Sequence, residues 1–375
     1  MNRRSLLGAA LPSLLTLQAR AQPAATATAA PSAGAVLPES AVADGASHPL
    51  SSRFASLAEA QQVYPHATAL EDELDWCAIQ AAINAATRQG GGTVQVPHRG
   101  RAYVLNRGLT INPNMVTLRG GGARLEFRSL KRGERAVWFN ADGSPAYGHE
   151  RYAFEGFEIV GPGARAEGTA GLYFRSDTPS ASSRAMVRDC VVRGFHEAVL
   201  FGDRAYLIHF DHCALIESRF CVSCPYGLKD AGETISFSQC TLANSYCLVV
   251  NTAGFDLKFV ACSLDYAQRV VWDNNGLIDM IGCRVEIGPP RDPPFHCNHG
   301  RINFFGGFIL VTDPQNRGPL PPAFFAFNNA SASVHLFSVQ GWNWRTSTGR
   351  LTQGGGKVFR YSGDAIDTAE GIGHP

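Results

Sequence analysis

Two carboxylates stand at one repeated position of the chain: Asp265 in "CSLDYA" and Glu286 in "CRVEIG", each three residues after a cysteine. The same place after Cys190, Cys213 and Cys240 holds Arg193, Ile216 and Ala243, so the acidic pair departs from the pattern that contains it. Carboxyls held close together repel as anions. One is driven to a raised pKa and remains a proton donor beside an ionised partner. Glycoside hydrolysis needs that combination, with ~5 Å between carboxyls for retention and ~6.5 to 9.5 Å for inversion. Tyr266 follows Asp265 directly and Arg284 precedes Glu286 by two, so both are candidates to line a sugar subsite.

Glu233, in "AGETISF", is a third catalytic candidate. The interval from Cys213 to Cys240 is the longest, and its extra residues, Pro225 to Glu233, are expected to project as a loop over the scaffold. Asp256, in "GFDLKF", falls near the same lateral position one repeat on and is a candidate for substrate contact. For each of these carboxylates the alternative is a solvated charged face.

The elements that must position these groups are legible in "FDHCALIES", "FSQCTLANS", "FVACSLDYA" and "MIGCRVEIG". Successive cysteines from Cys190 are 23, 27, 22 and 21 residues apart. A period of that size means stacked units. Before each cysteine comes a pair of apolar residues spaced by two, such as Ile235 with Phe237 or Leu257 with Phe259; after it comes an aliphatic partner, Leu242 or Leu264. Spacing by two puts both members on one side of a strand. A third pair, Leu248 with Val250 and Val270 with Trp272, completes three short strands per turn. The expected fold is therefore all-β: a single-stranded right-handed parallel β-helix, with the cysteines forming an internal ladder and the residue three places on facing outward.

In "LDWCAIQAAINAATRQGGG", Trp76, Ile79, Ala82, Ile83 and Ala86 share one helical face, and the glycine run ends the helix. Such a helix covers the open end of a solenoid. The stretch "GWNWRTSTGRLTQGGGKVFRY" no longer carries the ladder and is expected to cap the other end, with Trp342 and Trp344 more suited to that cap than to a binding platform.

Residues 1–21, "MNRRSLLGAALPSLLTLQARA", combine a basic start, an apolar stretch and a small-x-small site, the form of an export signal. Adjacent Arg3 and Arg4 resemble a twin-arginine signal, with a general secretory signal as the alternative. Residues 22–50 are Ala/Pro/Ser-rich and read as a linker, and residues 51–375 as the β-helix domain. The mature protein is expected in the periplasm or outside the cell, without a membrane span. A net charge of +1, with 17% charged residues, argues against a nucleic-acid partner. Regular spacing favours buried thiols over a disulfide framework for the ten cysteines, leaving Cys221 and Cys224 as a C-x-x-C of open status. No second such motif accompanies it to make a zinc site, and no metal ligand set is assigned.

"DWCAIQAAINAATRQGGGTVQVP", "YVLNRGLTI" and "LRGGGARLEF", followed by the cysteine repeats, resemble the pectate-lyase-like superfamily, in particular the branch related to family 28 glycoside hydrolases and phage tailspike depolymerases. The resemblance covers roughly residues 70–310 and also picks out the "GE" at Glu233. It implies a polysaccharide as partner and, as activities, hydrolysis, elimination or epimerisation. The N-T-D, D-D, G-H-G and R-I-K motifs of polygalacturonases are not intact here, nor is the D-P-H-D of alginate epimerases. Three expectations stand in order: a glycoside hydrolase centred on Asp265 and Glu286; a polysaccharide lyase; and a noncatalytic glycan-binding β-helix. Hydrolysis needs no cofactor. Elimination could use calcium held among Asp265, Glu286 and Asp256 with Arg284 as base.

Overall fold

A computed structural model describes residues 35–36, 41–141, 151–178, 181–288, 292–312, 321–342 and 350–361; of Ala35, Val36, Arg151, Tyr152 and Trp342 it describes the backbone alone. These residues belong to one compact unit. Residues 1–21, read as an export signal, most of residues 22–50, read as a linker, and Trp344 lie outside them.

Each repeat makes three strands. In the rung that carries Cys240 they are Ile235–Ser238, Thr241–Ala243 and Cys247–Asn251. The corresponding strands of the next rung, Asp256–Val260, Ser263–Ala267 and Arg269–Asn274, pair with them in parallel. First and second strands merge into one twenty-stranded sheet, while the third strands stack into a separate ten-stranded sheet. The chain is thus a parallel β-solenoid of about ten turns.

Corners arise where an L-residue takes the left-handed conformation. Asp189, His212, Gln239 and Ala261 do so between first and second strands, with φ between 50° and 51°. Gly194, Glu217, Asn244 and Tyr266 do so between second and third. These corners account for the break in alternation around each cysteine. The interior follows the sequence pairs: Ile235, Phe237, Leu242, Leu257, Phe259 and Leu264 are fully buried. Phe210, Phe237 and Phe259 stack rung over rung, with centroids 4.7 and 4.9 Å apart.

The cysteine ladder has a bonding role as well as a packing one. Each thiol donates to the carbonyl of the large apolar residue one rung below: Cys240 to Phe210 at 3.6 Å, Cys262 to Phe237 at 3.3 Å, Cys283 to Phe259 at 3.2 Å. All ten cysteines, Cys221 and Cys224 included, are free and buried.

The helix Leu74–Arg88 packs its apolar face onto the first strands, and Gly90 and Gly91 follow it with φ of 87° and 116°. At residue 91 a side chain would also collide with the Met115 carbonyl. Buried Asp75 accepts from the backbone N–H groups of Val42, Ala43 and Val104. Ala41, Ala43 and Leu50 are buried too, so the ordered body includes the last residues of the stretch read as linker.

Two expectations are corrected. In the third strands Leu248 and Val249 are both buried, as are Val270 and Val271. The alternation breaks there, and Val250 and Trp272 turn outward. One such break flips every later side chain to the other face. At the C-terminal end, Thr352–Gly354 and Lys357–Tyr361 continue both sheets instead of capping them. Stacked Phe305, Phe337 and Tyr361 carry the outer wall there in place of the cysteines inside it.

Candidate active site

Strands Ser263–Ala267 and Arg284–Ile287 run side by side, with Ser263 opposite Arg284, Leu264 opposite Val285, and Asp265 opposite Glu286. Leu264 and Val285 fill the core, so the other four form a square patch on the outer wall. From Glu126 to Leu310 the outward column reads Glu126, Val160, Arg193, Ile216, Ala243, Asp265, Glu286, Leu310. The two carboxylates are therefore neighbours one strand spacing apart, ~4.8 Å between backbones.

Their environments differ. Asp265 is half-buried; Ser263 Oγ donates to its Oδ2 at 2.7 Å, while Oδ1 is enclosed without a hydrogen-bond partner. Burial pushes its pKa up, and the charge of Glu286 adds to the effect. Glu286 takes the Tyr266 hydroxyl on Oε2 at 2.8 Å and Arg284 Nε on Oε1 at 2.5 Å. Those donors, Tyr266 first, hold its carboxyl below the usual range. Arg284 is itself steadied over the Phe308 ring, 5.7 Å from its centroid. Tyr266 reaches Glu286 because it occupies the left-handed corner, where the strand register shifts by one residue. A bulge of this kind re-aims a side chain.

Glu233 and Asp256 do not join the patch. Glu233 lies ten residues before Ala243, the register partner of Asp265, which is ~30 Å of extended chain interrupted by a corner at Gln239. It is exposed, at the far edge of the first sheet. Asp256 precedes Asp265 by nine residues on the same rung, with Lys258 Nζ 3.8 Å from its Oδ2. Local spacing identified both, but a rung is wide and spreads such residues over its whole face.

Spacing by two pairs Trp272 with Val270 on one side of the strand, and the structure separates them. Trp272 lies on the outer face of the second sheet, with the Arg269 guanidinium 4.6 Å from its ring centroid and Tyr246 and Phe220 at 6.0 and 6.1 Å.

Among solved structures, the enzymatically active domain of tailspike protein 2 of bacteriophage CBA120 aligns with 76% of this chain at 12% identity, with a TM-score of 0.56. The likeness is one of fold, a right-handed parallel β-helix. The chain spans 43% of that tailspike domain's length. Tailspike gp49 of Pseudomonas phage LKA1 aligns at 15% identity over 86% of this chain and 77% of its own, with a TM-score of 0.41. The A-module of the Azotobacter vinelandii mannuronan C-5 epimerase AlgE4 does so at 12% identity over 79% and 96%, with a TM-score of 0.40. No protein-family model and no curated protein sequence matches the chain.

Three clefts among the described residues are lined by neither Asp265 nor Glu286. One of about 530 Å³ follows the first corner, where Glu155 and Glu158 are each bound by an arginine, Arg119 and Arg193. Another, of about 510 Å³, runs along the turns and is lined by Tyr226, His299 and several asparagines. A third, of about 570 Å³, lies on the second sheet near the helix and holds Trp76, Trp138 and Tyr173.

Proposed function

We propose that the protein is a glycoside hydrolase acting on a polysaccharide, with Asp265 as general acid and Glu286 as its ionised partner. The observation that carries this reading is the opposite direction in which two neighbouring carboxyls are driven: Asp265 up, by burial, and Glu286 down, by Tyr266 and Arg284. Separation of pKa values within a pair is what assigns acid and base roles. Asp265 would protonate the leaving glycosidic oxygen. Glu286 would attack or stabilise the anomeric carbon, its unused lone pairs directed by two donors that persist through the reaction. The short strand spacing favours retention of configuration.

Elimination is less well supported. A calcium set of Asp265, Glu286 and Asp256 would have to reach from the second strand of the Asp265 rung back to the start of its first, where Asp256 lies, and Arg284 is hydrogen-bonded to Glu286. Export through the N-terminal segment completes the proposal, giving the enzyme access to periplasmic or extracellular glycans.

Product analysis on bacterial exopolysaccharides and plant uronans tests the reading. New reducing ends without ultraviolet absorbance are expected, with Asp265→Asn and Glu286→Gln each lowering kcat at least a hundredfold. An unsaturated, ultraviolet-absorbing product, or activity that survives both substitutions, would overturn it. Binding to glycans without any cleavage would make the protein a noncatalytic β-helix.

A further inference from the structure

The cleft on the second sheet has a lining that folding alone does not require. Trp138 and Tyr173 are register partners on adjacent strands, Arg135–Phe139 and Ala170–Phe174, with ring centroids 6.1 Å apart and planes tilted by 35°. Both rings are only half-buried. The indole Nε1–H donates to the Arg175 carbonyl at 2.9 Å, so Trp138 is held by its edge. Arg135 lies over Tyr173, its guanidinium 5.1 Å from the ring centroid, and Nη1 donates to the Gly168 carbonyl at 2.6 Å.

Charge is distributed unevenly among the arginines of the cleft. Arg107 pairs with buried Asp72, and Arg175 with Asp177 at 3.3 Å. Arg135 has no carboxylate partner among the described residues; its contacts are carbonyls and an aromatic ring. A guanidinium without a counter-ion is a charge-assisted donor for a carboxylate. Beside it, fixed aromatic faces accept the apolar face of a ring. A cavity that joins a few directed polar groups to aromatic walls is the general form of a small-ligand site.

We infer that this cleft binds an acidic saccharide, one sugar ring against Trp138 and Tyr173 and its carboxylate on Arg135, at a site separate from Asp265 and Glu286. The two sites lie on different sheets. Along the second sheet, Ala170–Phe174 is four strand steps from Arg269–Asn274, the third strand of the Asp265 rung, or ~19 Å along the axis. The cleft would therefore hold a glycan without cleaving it, and its occupancy does not depend on the hydrolase reading.

Calorimetric titration of the full chain carrying Asp265→Asn and Glu286→Gln tests this with probes that stay intact. The probes are trimers of galacturonate, glucuronate and mannuronate, with methyl-esterified trigalacturonate and maltotriose as neutral controls. At least one acidic trimer should bind saturably, about tenfold more tightly than the neutral controls, the loss expected for one charge-assisted contact. Arg135→Gln should abolish that preference, and Trp138→Ala should weaken acidic and neutral probes alike. Arg135→Gln decides the matter if Trp138→Ala fails to fold, and thermal melting identifies that case. The inference is overturned if no acidic trimer binds at millimolar concentration, or if Arg135→Gln leaves binding unchanged. Loss of hydrolysis in Asp265→Asn with binding intact would separate this site from the catalytic proposal.

Discussion

A carboxyl's surroundings on this wall are set by the few side chains it touches on its own strand and on the next. Asp265 and Glu286 share a column and a spacing, yet Ser263 faces one, while Tyr266 and Arg284 face the other. If Asp265 donates a proton, activity falls as pH rises through its raised pKa. If Glu286 acts ionised, activity falls as pH drops through its lowered one. The product is a bell with its maximum on the acidic side of neutrality. Tyr266→Phe removes the leading donor to Glu286, so the acidic limb of kcat/KM should move to higher pH while the alkaline limb shifts little. A pH–rate profile in which neither limb moves would detach Tyr266 from the site.

At the scale of the strand, stability rests on ladders of like side chains. Leu264 is fully buried between Leu242 and Val285, and Leu264→Ala should cost about 2–5 kcal/mol in denaturant unfolding, because a cavity opens in a stack with little freedom to collapse. A polar ladder also runs inside the turns. Asn251 and Asn274 are fully buried; Asn251 Nδ2 donates to the Phe255 carbonyl and to Asn274 Oδ1, both at 2.9 Å, and Asn251 Oδ1 accepts from Phe255 N–H at 2.8 Å. Asn251→Ala strands those buried groups and should cost about 1–3 kcal/mol. Unfolding midpoints unchanged by either substitution would contradict the ladder account. These asparagines carry no apolar periodicity, which is why a reading based on hydrophobic spacing passes over them.

For the whole molecule, the free thiols separate two ways in which a cysteine-rich chain can be stabilised. Ten cysteines would invite disulfides in an oxidising compartment, yet here each is a buried free thiol. Burial pushes the thiols of Cys77, Cys221 and Cys297 up to about 12, so they stay protonated and unreactive at physiological pH. The melting temperature should therefore be the same with and without a reductant such as dithiothreitol. A clear fall on reduction would show that bridges contribute. Among the described residues no helix is long and apolar enough to cross a membrane.

By itself the sequence determined the rung: spacing by two, a corner at each cysteine and the outward place of Asp265 and Glu286 all follow from short-range alternation, which a strand obeys wherever it lies. It also placed the helix Leu74–Arg88 and its glycine stop, again from local periodicity. Tertiary structure decided what alternation cannot carry. A single break at Val270 and Val271 turned Trp272 outward, the width of a rung kept Glu233 and Asp256 away from the carboxylate pair, and pairing with earlier strands carried the sheets on to Tyr361. The cleft of Trp138, Tyr173 and Arg135 likewise forms from two strands whose side chains meet only after the chain has made a full turn. Tyr173 lies more than thirty positions from both Arg135 and Trp138, and stacking brings its ring centroid within 5.1 Å of the Arg135 guanidinium and 6.1 Å of the Trp138 ring.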